Sequence, residues 1–124
     1  MTAPLKPVHW IASSLNDLRA FPPEAQRAMG YALFRAQEGK KAPEVKPLKG
    51  IASGGGVLEI VEDFDSDTFR VVYTVQFAEV VYVLHAFQKK SKRGSQTPKH
   101  DIDLIRRRYA AARAHYDSTR REPR

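Results

Sequence analysis

The sequence contains no cysteine. That excludes a disulfide framework and any thiolate metal site, and it makes a reducing compartment the natural setting. Long hydrophobic runs are missing as well. The N-terminal MTAPLKPVHW lacks the apolar stretch of a secretory signal, and no uncharged apolar segment approaches the length that crosses a bilayer. A soluble cytoplasmic protein with no membrane association is therefore expected. Acidic residues are in deficit: 21 Lys and Arg against 14 Asp and Glu leave a formal charge of +7, a surplus that suits a polyanionic partner such as RNA, DNA or an acidic protein. The 124 residues show no internal repeat and have the length of one domain with a single core.

Three site chemistries fail for want of a residue. Asp63, Asp65 and Asp67 are spaced like the start of a calcium loop, but Thr68 stands where the glycine is needed and no glutamate closes the loop. The SGGGV stretch lacks the lysine and hydroxyl of a phosphate-binding loop and precedes a strand, so it reads as a turn. His9, His100 and His115 are too far apart in sequence to give metal-ligand spacing. No metal or cofactor is expected. Trp10 reads as a core anchor.

The pattern that is present describes an α+β domain. Residues 23–37 carry Ala25, Ala28, Met29, Ala32, Leu33 and Ala36 at helical spacing, with Pro23 in the first turn and Gly39 at the stop. A shorter helix in SLNDLRAF precedes it, capped by Ser13 or Ser14, with Leu15, Leu18 and Phe21 facing inward. The segment from Gly39 to Gly56, rich in Lys, Pro and Gly, is expected to be an exposed loop. Strands are predicted at 57–62, 68–77 and 80–87, forming an antiparallel meander. A long C-terminal helix, with Thr97 as cap and Pro98 at its first position, places Ile102, Ile105, Tyr109, Ala112 and Tyr116 on one stripe. It should pack on the sheet and leave Arg106, Arg107, Arg113 and the basic tail (117–124) in water.

Strand alternation puts Phe69, Val71, Tyr73, Val75 and Phe77 on a core face and Arg70, Val72, Thr74 and Gln76 on the other. A two-residue turn at Ala78-Glu79 would set Phe77 opposite Val80, Val72 opposite His85 and Arg70 opposite Phe87. A turn near Asp65-Ser66 would set Val61 opposite Arg70 and Glu59 opposite Val72. Glu59, Arg70, His85, Phe87 and Lys89 then share one face, followed by the cations Lys90, Lys92 and Arg93. A cationic run after a strand is ordinarily a solvated turn; here it follows directly on a His/Phe strand. RNA cleavage without metal needs a base for the 2′-hydroxyl proton, cations for the charge building on phosphate, and an acid for the departing 5′-oxygen. Glu, Arg, His and Lys can supply these, and an aromatic such as Phe87 can stack on a base.

The ordered motifs W-x-x-S-S-L-x-D-L-x-x-F-P (Trp10 to Pro22), KPLKG, GVLEIVED, FRVVYTVQF, YVLHAFQKKSKRG and TPKHDIDLIRRR span nearly the whole chain. Together they resemble the phage-derived branch of the RelE/HigB toxins, LHAFQKK beside KPLKG being the most specific part. The resemblance implies one toxin domain of a type II toxin–antitoxin system, silenced by a cognate antitoxin, often of helix-turn-helix type. Better-known members are ribosome-dependent endoribonucleases that cut mRNA without metal and so inhibit translation. It implies Arg70, His85 and Lys89 as catalytic residues, with His85 as general acid or base. Lys46, Lys49, Glu59, Phe87, Lys90, Lys92 and Arg93 are the expected substrate-binding residues. Many relatives carry a tyrosine or histidine near the C-terminus as the acid–base group, whereas this chain continues into a long helix whose Tyr109 and Tyr116 lie on the core stripe. The alternatives are a non-catalytic basic module binding nucleic acid or protein, and a ParE-like toxin acting on DNA gyrase.

Overall fold

The computed structural model describes residues 4–89 and 96–121. Its elements in chain order are β1 (Val8–Trp10), α1 (Ser14–Arg19), α2 (Pro23–Gln37), β2 (Val45–Pro47), β3 (Val57–Phe64), β4 (Asp67–Thr74), β5 (Val81–Lys89) and α3 (Lys99–Arg121). The sheet order is β1-β5-β4-β3-β2, with β1 parallel to β5 and the other pairs antiparallel. Among the described residues no helix is long and apolar enough to cross a membrane.

The β3–β4 register follows from its turn. Asp65 and Ser66 both have positive φ, 54° and 72°, the backbone twist that a two-residue hairpin loop requires. Val61 consequently pairs with Arg70 and Glu59 with Val72, as alternation predicts. The β4–β5 hairpin reaches its predicted register by another route. Residues 75–80 form an irregular connection instead of a tight turn at Ala78-Glu79, and a bulge between Val72 and Tyr73 shifts the ladder by one residue. The two departures cancel beyond the bulge, so Val72 faces His85 and Arg70 faces Phe87. The bulge also explains how Leu84 packs under α3 while its neighbour His85 bonds a residue of α3.

The sheet is covered on both faces. Leu18 of α1, Phe21 of the link that follows it, and Met29 and Leu33 of α2 pack on Ile60, Phe69, Val71, Tyr73 and Val83. On the other face Ile105, Tyr109 and Ala112 of α3 pack on Val57, Val72, Phe77, Tyr82 and Leu84. Ile105 is fully buried, which stabilises by about 1.5–3 kcal/mol. Tyr73, sealed under α2, has its hydroxyl pushed up to about 12 by burial. Helix α2 ends where Gly39, at φ +82°, lets its N–H reach Ala36 O at 2.9 Å and that of Lys40 reach Arg35 O at 2.8 Å.

Several expectations are corrected. The predicted strand at 68–77 stops at Thr74, whose hydroxyl donates to Gly56 O at 2.7 Å and accepts from Gln76 N–H at 3.0 Å, turning the chain out of the ladder. Val75 is therefore exposed, and Phe77 crosses to the α3 side, its ring 5.5 Å from Tyr109. The expected exposed loop at 39–56 contains the edge strand β2, with Ala42 and Val45 buried, while Leu48, Ile51 and Ala52 pack under α3. Strand β1 was absent from the meander; its Trp10 is half-buried against the α1/α2 core. Three-residue strands carry no readable period, which is why both edges escape pattern reasoning.

Candidate functional site

Helix α3 runs across the face that gathers Glu59, Arg70, His85 and Phe87, and it divides that face into two flanks. The division follows from helical geometry: Asp101 and Arg108 project to one side of the core stripe, Ile102 and Arg106 to the other. Asp101 and Arg108 reach β5, and Arg108 also reaches Ser13, just before α1. On the opposite side, Arg106 Nε donates to Gly50 O at 3.1 Å, tying α3 to the loop after β2.

On the β2 flank, Lys46 of β2 pairs across the sheet with Glu59 of β3. Lys46, Lys49, Glu59, Gln96, Thr97 and Ile102 line an open cleft of about 460 Å³, within the size range of about 300–1,000 Å³ typical of small-ligand sites. A second cleft shares Gln96, Thr97 and Ile102 and adds Lys89, Lys99 and Arg106. Among the described residues, five cationic side chains thus ring the start of α3. Lys46, Lys49, Lys99 and Arg106 are exposed, while half-buried Lys89 donates from Nζ to Gln96 O at 2.6 Å.

Beneath these clefts lies a buried ion pair. Arg70 and Glu59 are 3% and 1% exposed, and Arg70 Nη1 donates to Glu59 Oε2 at 3.2 Å. The Thr97 hydroxyl donates to the same oxygen at 2.8 Å and accepts from Arg70 Nη1 at 3.4 Å. The hydroxyl expected to cap the helix thus links the start of α3 to the sheet. Removing one member of such a pair leaves an uncompensated buried charge, at a cost of about 3–5 kcal/mol.

On the α1 flank, His85 is buried with Nε2 2.7 Å from Asp101 Oδ1 and Nδ1 3.5 Å from Arg108 Nη1. A guanidinium is donor-only and a carboxylate acceptor-only, so neutral His85 carries its proton on Nε2 and presents a lone pair at Nδ1. Burial lowers the His85 pKa; the Asp101 hydrogen bond and charge oppose that, Arg108 adds to it and Asp17 opposes it. Phe87 stacks on the imidazole at 4.6 Å and 17°. Arg108 donates to Leu84 O at 3.0 Å and to Ser13 Oγ at 3.2 Å, and Ser13 in turn donates to Asp17 Oδ2 at 2.8 Å.

The structure therefore brings Lys46, Lys49, Glu59, Arg70 and Lys89 together around the β2 flank and places His85 across α3 from the Lys46/Lys49 cleft. Lys90, Lys92 and Arg93 lie outside the described residues. Pattern reasoning missed Asp101 and Arg108, and it read Ser13 only as a helix cap. One signal was present: Asp101, Ile105, Arg108 and Ala112 follow i, i+4, i+7, i+11, which puts two charged residues beside the core stripe. Nor did it foresee that His9 and His115, far apart in sequence, stack at 4.1 Å beside Tyr82.

Among solved structures, the chain is similar to one described as the toxin-antitoxin complex RelBE2 from Mycobacterium tuberculosis, with 18% sequence identity, a TM-score of 0.48, and coverage of 70% of this chain and 100% of that one. No curated protein matches the chain at a significant level. A family model described as "Phage derived protein Gp49-like (DUF891)" matches residues 16–110, and the chain belongs to that family.

Proposed function

We propose that the protein is the toxin of a type II toxin–antitoxin system, a ribosome-dependent endoribonuclease that cleaves mRNA and is restrained by a cognate antitoxin of helix-turn-helix type. The observation that carries this reading is the ring of Lys46, Lys49, Lys89, Lys99 and Arg106 around two adjoining open clefts at the start of α3. Membership of the phage-derived Gp49-like family and the motif resemblance to RelE/HigB toxins point the same way. Cations concentrated at a concave surface raise the local concentration of a polyanion and supply phosphate contacts.

In this reading Lys46 and Lys49 hold the RNA backbone and Lys89 neutralises phosphate charge beside them. Arg70 acts from beneath, fixing Glu59 and Thr97 in the cleft wall. His85 supplies acid–base chemistry and Phe87 positions the nucleotide. The 2′-oxygen attacks phosphorus as its proton is removed, the P–O5′ bond breaks, and the 5′-oxygen takes up a proton, leaving a 2′,3′-cyclic phosphate and a 5′-hydroxyl.

The test is induction of the chain in cells, wild type beside Lys46→Ala/Lys49→Ala and Lys89→Ala, with mRNA 5′ ends mapped and DNA supercoiling followed in parallel. Codon-phased cuts that disappear in both variants are expected. Growth arrest with intact mRNA and altered supercoiling would move the target to gyrase. A second reading, a non-catalytic basic binding module, is favoured by one observation: both ring nitrogens of His85 are already engaged. Absence of both cuts and arrest would support it.

A further inference from the structure

Arg108 is the unusual member of the α1 flank. Its guanidinium is half-buried, and burial acts against its charge, yet its partners are neutral: the Leu84 carbonyl, the Ser13 hydroxyl and His85 Nδ1. Among the described residues no carboxylate lies within ion-pair distance of it. The acid that acts on its charge is Asp17, whose carboxylate accepts from Ser13. A buried arginine is ordinarily paired with an acid, as Arg70 is with Glu59. A half-buried guanidinium on neutral acceptors keeps its capacity for a charge-assisted, bidentate contact with an oxyanion.

Its position adds the second element. The 3.5 Å separation from His85 Nδ1 is long for a hydrogen bond, so a phosphoryl oxygen would compete well for this donor. Removing Arg108 from Nδ1 uncovers the one lone pair of the imidazole that can accept a proton. The other nitrogen is committed to Asp101, whose second oxygen lies 3.4 Å from His100 Nε2. The charged groups around His85 are thus Asp101 and Arg108 from α3 and Asp17 from α1.

We propose that Arg108 is a phosphate-contacting catalytic residue that covers His85 Nδ1 in the free protein and leaves it for the substrate phosphodiester, while Asp101 is the positioning residue that fixes the Nε2–H tautomer. The inference rests on the nuclease reading and deepens it. With phosphate bound to Arg108, Nδ1 takes the 2′-hydroxyl proton, the O2′–P bond forms, the P–O5′ bond breaks, the departing 5′-oxygen is protonated by solvent water, and the hydroxide so formed takes the proton back from Nδ1. The catalytic base then works from the α1 flank, with RNA leading across the start of α3 to the lysines of the β2 flank.

The experiment is side-chain 15N NMR of His85 and Arg108 in the full chain, titrated with a short single-stranded RNA whose 2′-oxygens are methylated and which therefore cannot be cut. The free protein should show His85 protonated at Nε2, and the oligonucleotide should shift both Arg108 and His85 Nδ1. Arg108→Gln should lose that response, and Asp101→Asn should move the His85 titration to lower pH. Ser13→Ala, which loosens Arg108 and keeps its charge, is expected to retain the response with affinity raised roughly threefold; it decides the matter if Arg108→Gln does not fold. A free protein with the proton on Nδ1, or RNA binding that leaves Arg108 and His85 unmoved, overturns the proposal. If both shift but the wild type cuts no mRNA in cells, the phosphate site stands and the nuclease reading falls.

Discussion

Arg70 and Arg108 approach the same face of one sheet and are held there in opposite ways. Arg70 is 3% exposed, pinned to Glu59 and to the threonine that precedes α3. Arg108 is half-buried on the far side of the helix and, among the described residues, donates to neutral acceptors. The comparison teaches that a carboxylate beside a buried cation, more than its residue type or its position in a motif, decides whether it serves the fold or remains able to bind an anion. A strand arginine identified by resemblance can thus be indispensable because it holds the helix that shapes the clefts.

The sharpest way to break the comparison is Arg70→Ala. Leaving Glu59 buried without its partner should cost about 3–5 kcal/mol, seen as a much lower denaturation midpoint. Loss of growth inhibition in that variant would then report unfolding, and a midpoint within error of wild type would return Arg70 to a direct role. Asp101→Ala should cost less, about 1–3 kcal/mol, because it strands the buried His85 Nε2–H. Its signature is loss of α3 protection in hydrogen exchange.

A pH series probes the same flank. Burial lowers the folded-state pKa of His85, and of His9, below 6.5, so the unfolded chain binds more protons just below that pH. The contribution is therefore fully present above pH 6.5 and is lost as pH falls toward the folded-state values. Thermal melts should decline through that window, and His85→Gln should flatten part of the slope. Melts independent of pH below 6.5 would mean that these rings are more accessible to water than the packing implies.

How much of this was legible depends on where local chemistry dictates geometry. The turn at Asp65-Ser66 accepts positive φ, so Glu59 and Arg70 could be placed on one face from alternation alone. The pairing of Arg70 with Phe87 was also foreseen, though its stated cause, a tight turn at Ala78-Glu79, is replaced by a longer connection compensated by a bulge. What alternation could not reveal is that α3 covers the middle of that face. The stripe of Ile105, Tyr109 and Ala112 identified a buried helix face without saying which side of the sheet it would take. Asp101 and Arg108, flanking that stripe, became meaningful only once β5 and α1 were packed against them. The edge strands at Val8–Trp10 and Val45–Pro47 were invisible for a simpler reason, being stabilised by partners distant in sequence.

The smallest expected effect on stability accompanies the most direct test of function. Lys46 and Lys49 are exposed in the cleft wall, so Lys46→Ala/Lys49→Ala should change stability by no more than about 0.5 kcal/mol per site. Single-stranded RNA affinity should be measured for the wild type and this variant across a range of salt concentrations. If both lysines contact phosphate, affinity falls and the slope of log affinity against log salt becomes shallower by about 1.4, two contacts at about 0.7 each. An unchanged slope in a stably folded variant would contradict the assignment of this cleft to RNA.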